Sequence, residues 1–157
     1  MTEDPAVGDR VIERRVIAAS RERVFRSWTE PAQLTRWWGP GGFSCPAAEV
    51  DLRPGGTYRL VMLAPGGAPQ MSVTGTYRKI DPPALLVYTW RWDTGPAASN
   101  EESLVTVEFN HLGDERTEVI VTHDRFPAGH DASPYRSGWE EGLEKLDLAI
   151  TKGESNA

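Results

Sequence analysis

Between Ser133 and Gly153 the residues Tyr135, Trp139, Leu143, Leu146 and Ile150 recur at spacings of four, four, three and four. At about 100° per residue they share one arc of a helix. Gly142 and Ala149 extend the edge of that arc, while Glu140, Glu141, Glu144, Lys145 and Asp147 point elsewhere. Ser133 suits the N-cap, Pro134 the first helical position and Gly153 the left-handed residue after the end. Burying each large side chain of the arc is worth roughly 1.5–3 kcal/mol. A face this wide is stable only against a partner of equal width. The preceding chain therefore has to build one, and its pattern reads as a sheet.

Residues 1–9 show no periodicity and read as a flexible N-terminal tail, which leaves a single domain over residues 10–153. Val11 to Ala18 is rich in β-branched residues and predicts a first strand. Ser20 caps a short helix with Val24, Phe25 and Trp28 on one face. A second short helix starts at Pro31, carries Leu34, Trp37 and Trp38, and stops at Gly39-Pro40. Two short helices after one strand read as a crossover to another edge of a sheet. A meander follows, with strands over 43–52, 57–63, 70–80, 86–92, 104–110 and 117–123, separated by Gly/Pro-rich breaks. The alternation places Tyr58, Leu60 and Met62 on one face, then Val73, Gly75 and Tyr77, then Leu86, Tyr88, Trp90 and Trp92. Val105, Val107, Phe109, Val119, Val121 and His123 continue that face. Gly75 inside its strand predicts a bulge or a close backbone approach. Short links imply antiparallel neighbours, and the fold class is α+β: a curved antiparallel sheet closed over a C-terminal helix.

At 157 residues, one core of ordinary size is expected. A formal charge of −6 argues against nucleic-acid or anionic-membrane partners, and the arginines at 14, 15, 21, 23 and 26 read as a solvated face. The single Cys45 excludes an intrachain disulfide framework and fits a reducing compartment, so the expected location is the cytoplasm. No apolar run approaches the ~20 residues of a membrane span. The histidines His111, His123 and His130 lack the short spacing of a zinc motif. Gly39-Pro40-Gly41-Gly42 and Gly55-Gly56 lack the order of a phosphate-binding loop. No metal and no cofactor is expected.

Several motifs in order resemble a known family. Thr29-Glu30-Pro31…Leu34…Trp37-Trp38-Gly39-Pro40 is followed by Asp51-Leu52-Arg53-Pro54-Gly55-Gly56 and Gly75-x-Tyr77…Asp81-Pro82-Pro83…Leu86…Thr89-Trp90. Thr122-His123 and Gly138-Trp139…Leu143…Leu146 complete the series. Over about residues 10–152 the chain resembles the activator-of-heat-shock-chaperone-ATPase homologues of the START-like, birch-pollen-allergen-like (SRPBCC) superfamily. The resemblance implies a helix-grip fold, seven antiparallel strands around the long C-terminal helix, often with a cavity between them. It also implies three kinds of role. Members of the superfamily bind lipids, sterols, hormones or polyketides; some are cyclases or dehydratases; and the family takes its name, with its stress-response connotation, from a co-chaperone. A heat-shock chaperone thus stays open as a partner.

The inward aromatics are the residues with functional content. Trp37, Trp38, Tyr58, Leu60, Met62, Tyr77, Tyr88, Trp90, Trp92, Phe109, His123, Trp139 and Leu143 form either a packed core or the wall of a cavity for a hydrophobic or aromatic molecule. No catalytic set stands out; His123 with a tyrosine in reach is the one candidate for acid/base work, against a buried, satisfied histidine. Arg15 becomes a carboxylate anchor if its strand turns it inward with Ile17. Cys45 has no base tied to it by sequence. Leu148, on the polar side of the last helix, marks a self-association contact that would make a homodimer. Gly138 and Gly142, at the edge of the apolar arc, allow either close backbone approach or empty space.

Overall fold

The computed structural model describes residues 10–39, 41–66, 70–95, 98–113, 115–126 and 132–155. The expected tail over 1–9, the tip of the 65–69 hairpin, Asp114 of the last turn, and His130 lie outside the described residues. The elements are β1 (Val11–Ile17), α1 (Arg21–Thr29), α2 (Pro31–Trp37), β2 (Ser44–Val50), β3 (Thr57–Leu63), β4 (Gln70–Asp81), β5 (Leu85–Thr94), β6 (Ser103–Gly113), β7 (Arg116–Asp124) and α3 (Ser133–Ser155).

All seven strands join one antiparallel sheet in the order β1-β7-β6-β5-β4-β3-β2. Strands β2 to β7 are a simple meander, whereas β1 and β2 lie at opposite edges, so α1 and α2 carry the chain across. Local chemistry starts both crossover helices. Ser20 Oγ accepts from the Arg23 N–H at 3.2 Å, and Pro31 opens α2 directly after Glu30. The sheet curls into a half-barrel, and α3 lies in its concave side with Trp139, Leu143, Leu146 and Ile150 buried. Most element ends shift from expectation, with β2 shorter at Ser44–Val50 and β6 longer at Ser103–Gly113. β1 stops at Ile17, one residue short, and α3 runs through Gly153 to Ser155. A glycine inside a helix costs only about 1 kcal/mol against alanine, which weakens the last turn without ending it.

Arg15 does share the inward side of β1 with Ile17, but it does not reach a ligand space. Its Nε donates to Asp147 Oδ2 of α3 at 2.9 Å, tying the edge strand to the helix. Leu148 stands 52% exposed on the outer side of α3.

Gly75 shows why the sheet can curl. A Cβ built there would lie 1.9 Å from the Thr89 carbonyl oxygen and 2.7 Å from Tyr58 Cε2. The β4–β5 register shifts on either side, between Ser72 and Val73 and between Tyr77 and Lys79. Only a residue without a side chain lets β5 cross so close. Gly75→Ala is therefore expected to cost roughly 3 kcal/mol or more in urea unfolding. A loss below about 1 kcal/mol would show that the strands can part there at no strain.

Candidate functional site

The interior between sheet and helix divides into a filled end and a hollow end. At the filled end, Tyr58, Tyr77 and Tyr88 pack with centroid separations of 5.7, 5.1 and 6.0 Å. Tyr58 OH donates to the Thr89 carbonyl at 2.6 Å, and Trp28 Nε1 donates to Tyr88 OH at 3.2 Å. With Leu60, Leu34 and Val50 they surround a gap of about 10 Å³, which is scarcely the space of one water. Burial pushes all three phenols above the ordinary tyrosine range. These groups are core, the Tyr58 and Tyr88 hydroxyls are hydrogen-bonded, and all three are poor proton donors.

The hollow end holds a cavity of about 450 Å³, within the size range of small-molecule sites. Its walls are largely indole. Trp37 and Trp38 come from the end of α2, Trp90 and Trp92 from β5, and Trp139 from α3. Trp139 sits at the centre: it stacks on Trp28 behind it at 6.0 Å and 17°, and meets Trp38 and Trp90 at 5.6 and 5.7 Å. Met62 and Met71 add thioethers from β3 and β4, and Phe43 and Phe126 add two more rings. Thioethers and ring edges adapt to ligand shape at little cost.

Gly138 and Gly142 of α3 form the remaining wall. Nothing lies within 4 Å of a Cβ built on Gly142. Of the two readings open for this residue, empty space holds and close backbone approach does not.

Polar groups at the cavity are few: Ser99 and Glu101 near the rim, Ser103 on β6, and Tyr135 on α3. The Tyr135 hydroxyl accepts from Trp92 Nε1 at 2.7 Å. Burial raises its pKa, and the nearby Trp92 and Trp90 indoles partly offset this. The indole N–H groups of Trp38 and Trp90 are buried, with no acceptor in hydrogen-bonding geometry among the described residues.

His123 lies behind this wall, fully buried. Trp139 Nε1 donates to its Nδ1 at 3.1 Å, and its Nε2 is 2.7 Å from Ser103 Oγ. An indole nitrogen can only donate, so Nδ1 must accept, and the neutral ring is the Nε2–H tautomer. Nε2 then donates to Ser103. In a serine nucleophile the histidine does the reverse and takes the serine proton. The pair thus has the separation of a catalytic dyad with the opposite polarity. Nor is His123 near the tyrosines expected to share its chemistry; its aromatic neighbours are Phe126 at 4.5 Å, Tyr135 at 4.8 Å and Trp90 at 5.1 Å. Burial pushes the Cys45 thiol up to about 11, which leaves it a poor nucleophile.

Of the thirteen residues expected at a cavity, the structure brings six together there: Trp37, Trp38, Met62, Trp90, Trp92 and Trp139. The others lie elsewhere. Tyr58, Leu60, Tyr77 and Tyr88 belong to the filled end. Phe109 packs edge-on against Phe25 and Trp28, Leu143 is buried under the sheet, and His123 stands one layer back. Missed at the cavity were Gly39, Phe43, Met71, Ser99, Glu101, Ser103, Phe126, Pro134 and Tyr135. Two of these carried a signal: Ser103 keeps the parity of Val105 and Val107, and Tyr135 precedes Trp139 by one helical turn. Among the described residues no group of His, Cys, Asp and Glu could hold a metal ion, and no helix is long and apolar enough to cross a membrane.

Solved structures share this architecture. The AHSA1 protein from Silicibacter pomeroyi is 26% identical, with a TM-score of 0.78 over 92% of this chain and 99% of that one. A protein from Chromobacterium violaceum is also 26% identical, with a TM-score of 0.77 over 88% and 95%. A protein from Arthrobacter aurescens, at 21% identity, shares the fold with a TM-score of 0.81 over 96% and 90%. No curated protein matches the chain. The family model described as "Activator of Hsp90 ATPase homolog 1-like protein" matches residues 18–151. With that match spanning the crossover helices, the meander and nearly all of α3, the chain belongs to this family, and its helix-grip fold is that of the START-like superfamily.

Proposed function

We propose that the protein binds a hydrophobic or aromatic small molecule in the tryptophan-lined cavity between sheet and C-terminal helix. The observation that carries this reading is the cavity itself: about 450 Å³ left open among side chains that could otherwise have packed. Empty apolar space of this size is costly, because a cavity forfeits contacts on every wall. The filled end of the same interior shows that this chain packs aromatics tightly where it has no space to keep. A ligand would restore those contacts, and the ligand-binding habit of the superfamily fold supports the same reading. The buried, free Cys45 thiol fits action in the cytoplasm.

The polarity of the His123–Ser103 pair favours binding over turnover. A serine that accepts from histidine is not deprotonated by it, and the three raised phenols of the filled end lie out of reach.

Native mass spectrometry of protein purified from its own host is expected to show a retained mass that is lost on denaturation. Protein that neither carries such a mass nor takes up any apolar probe would overturn the reading. Gly142→Leu tests the location. The new side chain enters the open space beside Trp139, so probe uptake is expected to fall at least tenfold. The unfolding midpoint should stay within a few degrees of the parent, because nothing is displaced. Unaltered uptake in a well-folded Gly142→Leu protein would place the ligand elsewhere.

A further inference from the structure

We infer that the ligand carries a hydrogen-bond acceptor, and that Ser103 Oγ–H is the donor that holds it. The class is a neutral aromatic or polycyclic compound bearing a carbonyl oxygen. This inference rests on the binding reading above and adds the chemistry that the cavity selects.

The donor is identified by direction. The chain Trp139 Nε1–His123–Ser103 Oγ has only one consistent sense, because its first member cannot accept. Trp139 donates to Nδ1, Nε2 donates to Ser103 Oγ, and the serine receives a proton rather than giving one. Its own hydroxyl hydrogen is left to point somewhere else. Among the described residues nothing accepts it: the contact with His123 is the one hydrogen bond of that side chain. Ser103 is 93% buried, since its exposure is 7%, and it lines the cavity. Its register pairs it with Trp90 across β5–β6, so both side chains stand on the concave face. A buried hydroxyl with an unused hydrogen beside empty space is a costly arrangement until an acceptor arrives. Each donor upstream also polarises the next, which strengthens the last O–H as a donor.

The same wall says what the acceptor is attached to. The described cavity residues include no lysine, arginine or histidine, and the one charged group is the Glu101 carboxylate. Among the described residues a carboxylate ligand would meet no cation and one anion. A carbonyl oxygen needs only a neutral donor: Trp38 and Trp90 Nε1–H are further donors on the wall, unpartnered among the described residues, and Ser103 Oγ–H is the one that the buried chain orients. The five indoles then take the rings, with offset or edge contacts on several sides.

A matched pair of tricyclic probes tests this by equilibrium dialysis: fluorenone, which has the carbonyl, and fluorene, which has the same skeleton without it. Fluorenone is expected to bind at least tenfold more tightly, and fluorene-9-carboxylate more weakly than fluorene. Ser103→Ala should remove the preference for fluorenone and leave fluorene affinity within about twofold. Ser103→Thr, which keeps the hydroxyl, should retain the preference. Equal binding of fluorene and fluorenone to the parent protein would overturn the acceptor inference and leave the apolar binding reading standing. Binding of neither probe would count against both. Nitrogen-15 chemical shifts of the His123 ring supply a check that needs no ligand and no variant. They are expected to report the Nε2–H tautomer. A ring protonated at Nδ1 would reverse the chain and remove the inference.

Discussion

The rest of the molecule depends on one docking event, the apolar arc of α3 settling into the concave side of the sheet. Trp139, Leu143, Leu146 and Ile150 contribute a stripe one helix wide, whereas the sheet that receives them has seven strands. A single helix cannot fill a half-barrel of that breadth. The shortfall has to be made up by side chains from the crossover helices or left as space. α1 and the start of α2 fill one end, where Phe25, Trp28 and Leu34 meet Phe109 and the three tyrosines. At the other end α3 turns Gly138 and Gly142 to the cavity, and among the described residues nothing lies within 4 Å of a Cβ built on Gly142. The cavity is thus a consequence of helix width, crossover length and two glycines acting together.

Trp139 couples the two ends. Its ring is packed against Trp28 of the filled end and forms a wall of the hollow one, and its N–H orients His123. A residue that serves packing, wall and polarity at once has little freedom to move. This rigidity matters for binding, because a site already ordered before the ligand arrives spends less entropy on it. The adaptable part of the wall is opposite, where Met62 and Met71 come from the strands.

Strand parity made the fold and the faces legible from sequence. Tyr58, Leu60 and Met62 are all buried on the concave face, as their alternation requires, and so are Val119, Val121 and His123. Parity says nothing about depth along the strand. Tyr58 and Met62 share a face yet lie at opposite ends of the interior, one in the packed tyrosine cluster and the other on the cavity. Which end stays hollow is set by where α1 and α2 sit, a long-range fact that no short window of sequence contains. Ser103 was passed over for a related reason. A lone serine at the start of a strand reads as a strand end, and its meaning comes from His123, 20 residues away. Gly75 and Gly142 make the same point in a pair. Both interrupt an apolar pattern, but only the surroundings distinguish a backbone crossing from a void.

The polarity of the buried chain distinguishes two arrangements that look alike by distance alone. A serine oxygen 2.7 Å from a histidine nitrogen fits a nucleophile and its base, and equally a donor and its terminal acceptor. The choice is made on the far side of the ring. An acidic partner at Nδ1 would accept a proton there and leave Nε2 free to take one from serine. Here the partner is an indole, which offers a proton instead. That one substitution of donor for acceptor turns the ring around. It takes away the base that would activate the serine, and leaves the hydroxyl hydrogen for the acceptor proposed above.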